Sequence, residues 1–206
     1  MRSDRSWLWI LLLGSVWGLI EVVFGEMLFA REVPFASAWL TAGVLGVLVV
    51  ARLLIHQPGS STVVGGVATL YKLATVSPHF CHLLAIFLVG ASFDLFASLL
   101  VRRPERQKVA MIAVAGFSVY LARVLFGCAS LYIIQMAHWI ERGTPYLLHH
   151  IFIGGSIAAA LSALITLPSL RLGEWMSTRP DAHPRLVTAS MLAGATLCWA
   201  VGFIAV

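Results

Sequence analysis

The chain has 206 residues, 60% of them apolar and 11% charged, with a mean hydropathy of +0.91. A soluble domain carries about a quarter charged residues, so these values exclude a water-soluble globule and point to a chain that hides its surface in lipid. The net charge of +5 would suggest a nucleic-acid partner in a soluble protein; in an apolar chain it serves topology instead, and no nucleic-acid partner is expected.

Apolar runs of about 20 residues predict spans near 7–29, 38–55, 61–76, 80–101, 109–135, 146–168 and 187–206, the third short and glycine-rich. Backbone polar groups in hydrocarbon must pair within their own segment, so the expected fold is all-α: a polytopic bundle of six to seven transmembrane helices forming one domain over 1–206. No polar stretch between spans is long enough to bury a core of its own. The first span follows a basic start but continues apolar to about Ala30 with no small-x-small site directly after it, which predicts an uncleaved helix. With the N-terminus inside, ten of the fourteen Lys and Arg residues fall in cytoplasmic segments, two outside (Arg31, Arg142) and two within spans (Lys72, Arg123). That asymmetry predicts a multi-pass protein of the cytoplasmic (inner) membrane, N-terminus in, with an odd number of crossings and the C-terminus outside.

Ionisable groups inside spans carry the sharpest functional signal, because each costs about 2.5–3.5 kcal/mol at the bilayer centre on insertion scales and is normally turned toward protein. In the first span Gly14, Gly18, Glu21 and Gly25 share one helical stripe. Gly65, Thr69 and Lys72 align in the third, and His82, Ile86, Gly90, Asp94 and Ala97 in the fourth. Gly116, Tyr120, Arg123, Gly127 and Ser130 align in the fifth. At 1.5 Å per residue Glu21 and Arg123 lie roughly 21 Å above the inner ends of their helices and Lys72 roughly 17 Å, whereas Asp94 lies only about 10 Å up. Glu21 is therefore expected to pair with Lys72 or Arg123 in the outer half of the membrane. Such a pair serves the bundle alone or lines a polar pocket for an external solute, with Trp17 and Tyr120 on its walls.

Five of the seven histidines, His79, His82, His138, His149 and His150, map to the outer ends of spans, which keeps open a metal- or haem-binding protein, with Glu26 as a nearby carboxylate. Their spacing matches no metal motif. Cys81 and Cys128 also lie near outer ends, where a disulfide is permitted, although two small buried hydrophobes is the simpler expectation. Trp7, Trp9, Trp39, Trp139 and Trp175 fall near interfaces, as an aromatic belt would. The basic loop Arg102–Lys108 has its default explanation in topology, with anionic lipid or a cytoplasmic partner as the alternative. No nucleophile elbow, HExxH, Walker A or GxGxxG occurs in the chain, so no catalytic residue is assigned and no cofactor follows from a motif.

Trp17-Gly18-x-x-Glu21, Pro34-Phe35, Leu40-Thr41-Ala42-Gly43, Arg52 and the run Gly65 to Lys72 resemble the substrate-binding (S) components of energy-coupling factor transporters, over roughly residues 14–100. The resemblance implies a small helical membrane subunit that captures a vitamin, vitamin precursor or metal ion from outside. It further implies a transmembrane coupling subunit, reached through small residues that by position are Gly14 and Gly18, and a pair of cytoplasmic ATPases. Those components have six helices with both ends inside, and the seven spans counted here depart from that pattern.

Overall fold

The computed structural model describes residues 6–74, 80–101, 107–178 and 184–204. They are helical almost throughout, with no strand among the described residues. Helix α1 runs over Ser6–Ala30, with a π turn at Ile20–Phe24. It is followed by α2 (Ala36–Ile55), α3 (Ser60–Ala74), α4 (Phe80–Leu100) and α5 (Gln107–Cys128), the last continued by a π turn at Ala129–Ile133. Helix α6 (Ala137–Leu148) is interrupted at Gly143 and joined through a π turn, His149–Gly154, to α7 (Gly155–Thr178), and α8 (Pro184–Ile204) ends the described chain.

Among the described residues six helices are long and apolar enough to cross a membrane: α1, α2, α4, α5, the joined α6–α7 and α8. The described part of α3 has 15 residues, about 22 Å at helical rise. It packs between α1 and α4 all the same. A Cβ at Gly14 would meet Val67, and one at Gly18 would meet Tyr71, so α1 and α3 run side by side in the same direction. Gly65 and Thr62 of α3 face Gly90 and Asp94 of α4, an antiparallel pair. Helix α8 again runs parallel to α1, with Gly194 over Leu12 and Trp199 over Ser15. The described residues therefore form a bundle of seven rods.

The predicted spans lie within a few residues of these helices except at the sixth. There the segment expected to be an inner loop, from Ser169 to Arg185, stays helical as far as Thr178. The reason lies in α2, the most buried helix, whose Leu53 packs on Gly173 while Leu170 is itself buried. An apolar face still needing cover keeps the helix going past the span that hydropathy alone marks out. The core is built around α2, with Leu45, Leu48 and Val49 fully enclosed beside Trp17, Phe93 and Met111.

Near the end expected to face the cytoplasm, Asp94 of α4 ties three helices together. Its Oδ2 accepts hydrogen bonds from the Thr62 backbone N–H (3.3 Å) and hydroxyl (3.0 Å), and Oδ1 lies 3.6 Å from Arg52 of α2. Asp94 thus caps the exposed donors at the start of α3 from a neighbouring helix. Its place here, away from Glu21 and Arg123, is the one its depth predicted.

Candidate functional site

At the opposite end the helices part around a cavity of about 370 Å³. Its walls come from the C-terminal part of α1, the N-terminal parts of α2 and α4, the C-terminal part of α5, and α6 with the π turn that follows it. Of the residues expected to bind solute, Glu21 and Arg123 line it; Lys72, Trp17 and Tyr120 do not. Trp17 is fully buried and donates from Nε1 to Glu21 Oε1 at 3.3 Å. Lys72 stands behind the same carboxylate, with Nζ 4.0 Å from Oε2. Tyr120 lies in the α5–α7 seam, its hydroxyl 2.8 Å from Ser156 Oγ. These three position or pack instead of forming walls, because the helical stripe that aligned them says which side is inward but not which neighbour fills it.

The π turn at Ile20–Phe24 explains part of this. One extra residue per turn shifts the stripe, so Gly18 meets Tyr71 of α3 while Gly25 meets Leu40 of α2. Glu21, on the shifted turn, is held by Lys72 on one side and reaches the cavity on the other. Gly14 and Gly18, expected to contact a coupling subunit, are buried against Val64, Val67 and Tyr71. They serve the α1–α3 contact within this chain.

Arg123 is 7% exposed. One terminal nitrogen donates to the His150 carbonyl (3.3 Å) and lies 3.4 Å from His150 Nδ1, and the other donates to Ser37 Oγ at 3.4 Å. Among the described residues no carboxylate lies within 4.0 Å of it. Its Nε–H and the Nε2 of His150 are both buried without a hydrogen-bond partner among the described residues. Buried charges are as a rule paired, so Arg123 is the exception in this wall. The same π-turn device that shifts Glu21 also serves His150, which lies in the turn at His149–Gly154; such turns recur at functional sites.

The aromatic wall was misread from sequence. Trp139, expected in the interfacial belt, is 3% exposed and packs on Tyr146 (ring centroids 4.9 Å), His150 (5.2 Å) and Phe126 (5.8 Å). Trp7, Trp39 and Trp175 are exposed on the bundle surface, where a belt would put them. Residues 137–142 form a short helix turned back over the cavity. It is bounded by positive φ at Gln135 and Gly143 and carries Pro145 just after the break. The run of aromatics with Gly143-x-Pro145 was the available signal for such a folded-back piece.

His82 and His138 also line the cavity, with His82 stacked on Phe29 at 6.0 Å, and His149 is exposed. His79 lies outside the described residues. Among the described residues no three His, Cys, Asp or Glu side chains come together as a metal-binding group. Cys81, Cys128 and Cys198 are free thiols. No family model, no curated protein and no solved structure matches the chain.

Proposed function

We propose that this membrane protein is the solute-capturing subunit of a transporter, taking a small polar solute from the outer side into the cavity bounded by Glu21, Arg123 and His150. The observation that carries this reading is Arg123: a buried guanidinium with no acidic partner among the described residues, set in the wall of a cavity of about 370 Å³. A charge in a membrane core pairs with an opposite charge or with backbone carbonyls; among the described residues Arg123 has the His150 carbonyl and no carboxylate, and a binding site leaves the place of the counter-charge to the ligand. The volume sits at the small end of the roughly 300–1,000 Å³ typical of small-molecule sites. The resemblance to energy-coupling factor S components supports the same reading and extends it to an inner-membrane subunit that works with a coupling subunit and ATPases.

Native mass spectrometry of the protein purified from its own membranes tests the proposal. A stoichiometric small molecule that is lost on Arg123→Gln is the expected outcome. An empty wild-type protein that also fails to accumulate any solute when its natural membranes are assayed for uptake would end this reading.

A further inference from the structure

The chemistry of the cavity wall specifies a class of solute, on the condition that the cavity is a solute site as proposed above. Arg123 has only donors, so the nitrogen that lies 3.4 Å from it, His150 Nδ1, serves as the acceptor of that contact. A neutral imidazole with Nδ1 accepting carries its proton on Nε2. His150 Nε2–H is then a buried donor without a partner among the described residues, and so is Arg123 Nε–H. Two unanswered donors at this corner call for an oxygen acceptor, since a buried donor left unpaired costs about 1–3 kcal/mol.

Charge sets the kind of acceptor. Glu21 and Lys72 compensate each other across 4.0 Å, which leaves Arg123, among the described residues, as a positive charge on the cavity without a carboxylate partner. A carboxylate neutralises one charge and accepts paired hydrogen bonds from a guanidinium and its neighbour. A phosphate monoester, with nearly two negative charges at neutral pH, would leave excess charge in a low-dielectric site. Beyond the charged corner the walls are apolar and aromatic, with Phe29, Ile86, Val119, Phe126, Trp139 and Tyr146.

We infer that the cavity takes a small monocarboxylate with an apolar, ring-sized body, its carboxylate held at the corner formed by Arg123 and His150. A water-soluble aromatic acid and a short fatty acid share this chemistry, and the test separates them. Solute released from the wild-type protein is identified by mass spectrometry in both ion modes. Thermal protection of the ligand-stripped protein is then measured with phenylacetate, decanoate, phenyl phosphate, 2-phenylethanol and 2-phenylethylammonium. The expected result is a released carboxylic acid, or protection by phenylacetate or decanoate and not by the alcohol, the ammonium or the phosphate; whichever of the two acids protects identifies the source.

Arg123→Gln and His150→Phe should each weaken that binding about tenfold or more, the loss expected for a charge-assisted hydrogen bond. His150→Phe keeps the ring against Trp139 and removes the donor, so it remains informative where Arg123→Gln fails to fold. A released cation, neutral molecule or phosphate ester, or protection by those probes, overturns the carboxylate assignment and leaves solute capture standing. No released solute and no protection by any of the five probes overturns both. Undiminished carboxylate binding in His150→Phe overturns the assignment of the oxyanion to this corner.

Discussion

Lys72 reaches from α3 to Glu21 of α1, its Nζ 4.0 Å from the carboxylate and 3.4 Å from the Glu21 backbone carbonyl. With side chains 9% and 14% exposed, the pair is shielded enough for its removal to be felt. Breaking one half of a buried pair costs about 3–5 kcal/mol, whereas replacing both halves with apolar groups is often close to neutral. Glu21→Ala is therefore expected to lower thermal stability in detergent clearly, and Glu21→Leu with Lys72→Met to restore most of it. An unchanged melting temperature in Glu21→Ala would show that the carboxylate is not held as described.

The two classes of glycine on the bundle separate cleanly. A Cβ at Gly18 runs into the Tyr71 ring and one at Gly116 meets nothing within 4 Å. Gly18→Ala should force α1 and α3 apart and destabilise by about 1–3 kcal/mol, as overpacking does. Gly116→Ala should be neutral or stabilising by about 0.5–1 kcal/mol, the usual gain within a helix. Parallel thermal melts of the two variants check the contrast.

Helix α8 is fastened at one point by Tyr71, whose hydroxyl donates to the Cys198 carbonyl at 2.5 Å and lies in a notch left by Gly202. Tyr71→Phe removes the hydrogen bond and should cost about 0.5–1.5 kcal/mol. Gly202→Ala fills the notch and should do more, loosening α8 from α1. Faster labelling of Cys198 by a maleimide in both variants, and faster in Gly202→Ala, is the outcome to look for.

Asp94 distinguishes structure from binding. Because it caps α3 through Thr62 and pairs with Arg52 at the end of the bundle away from the cavity, Asp94→Ala should lower stability by about 3 kcal/mol or more. Solute retained by the fraction that remains folded should be unchanged. Loss of solute without loss of stability would place Asp94 in the binding machinery instead.

The segment folded over the cavity turns on Gly143, at φ 59° and ψ −158°, a region open essentially to glycine alone. Gly143→Ala is expected to cost on the order of 1–3 kcal/mol and to pull Trp139 off His150. Weaker solute retention with the rest of the bundle intact by circular dichroism would be its signature. Gln135→Gly, which relieves positive φ at the other end of the segment, should stabilise slightly.

Composition and helical spacing by themselves determined that this chain is a membrane bundle and that Glu21, Lys72, Asp94 and Arg123 turn inward. The physical reason is local: a charge facing lipid is too costly, and the residues three and four positions away show which side of the helix is protein. Asp94 was also separable from the others by depth, since rise per residue is a property of the helix alone. Which inward charges meet was not local. Lys72 and Arg123 were equally good partners for Glu21 in sequence, and only the packing of α1 against α3 gave the carboxylate to Lys72 and left Arg123 to Ser37 and His150. Trp17 and Tyr120 fell outside the cavity they were expected to line, because a helical stripe marks the inward side and not the neighbour that fills it: Trp17 is enclosed in the core and Tyr120 meets Ser156 of α7. Trp139 took the opposite path, because an aromatic residue between spans reads as an interface anchor until the backbone break at Gly143 folds it back over the cavity.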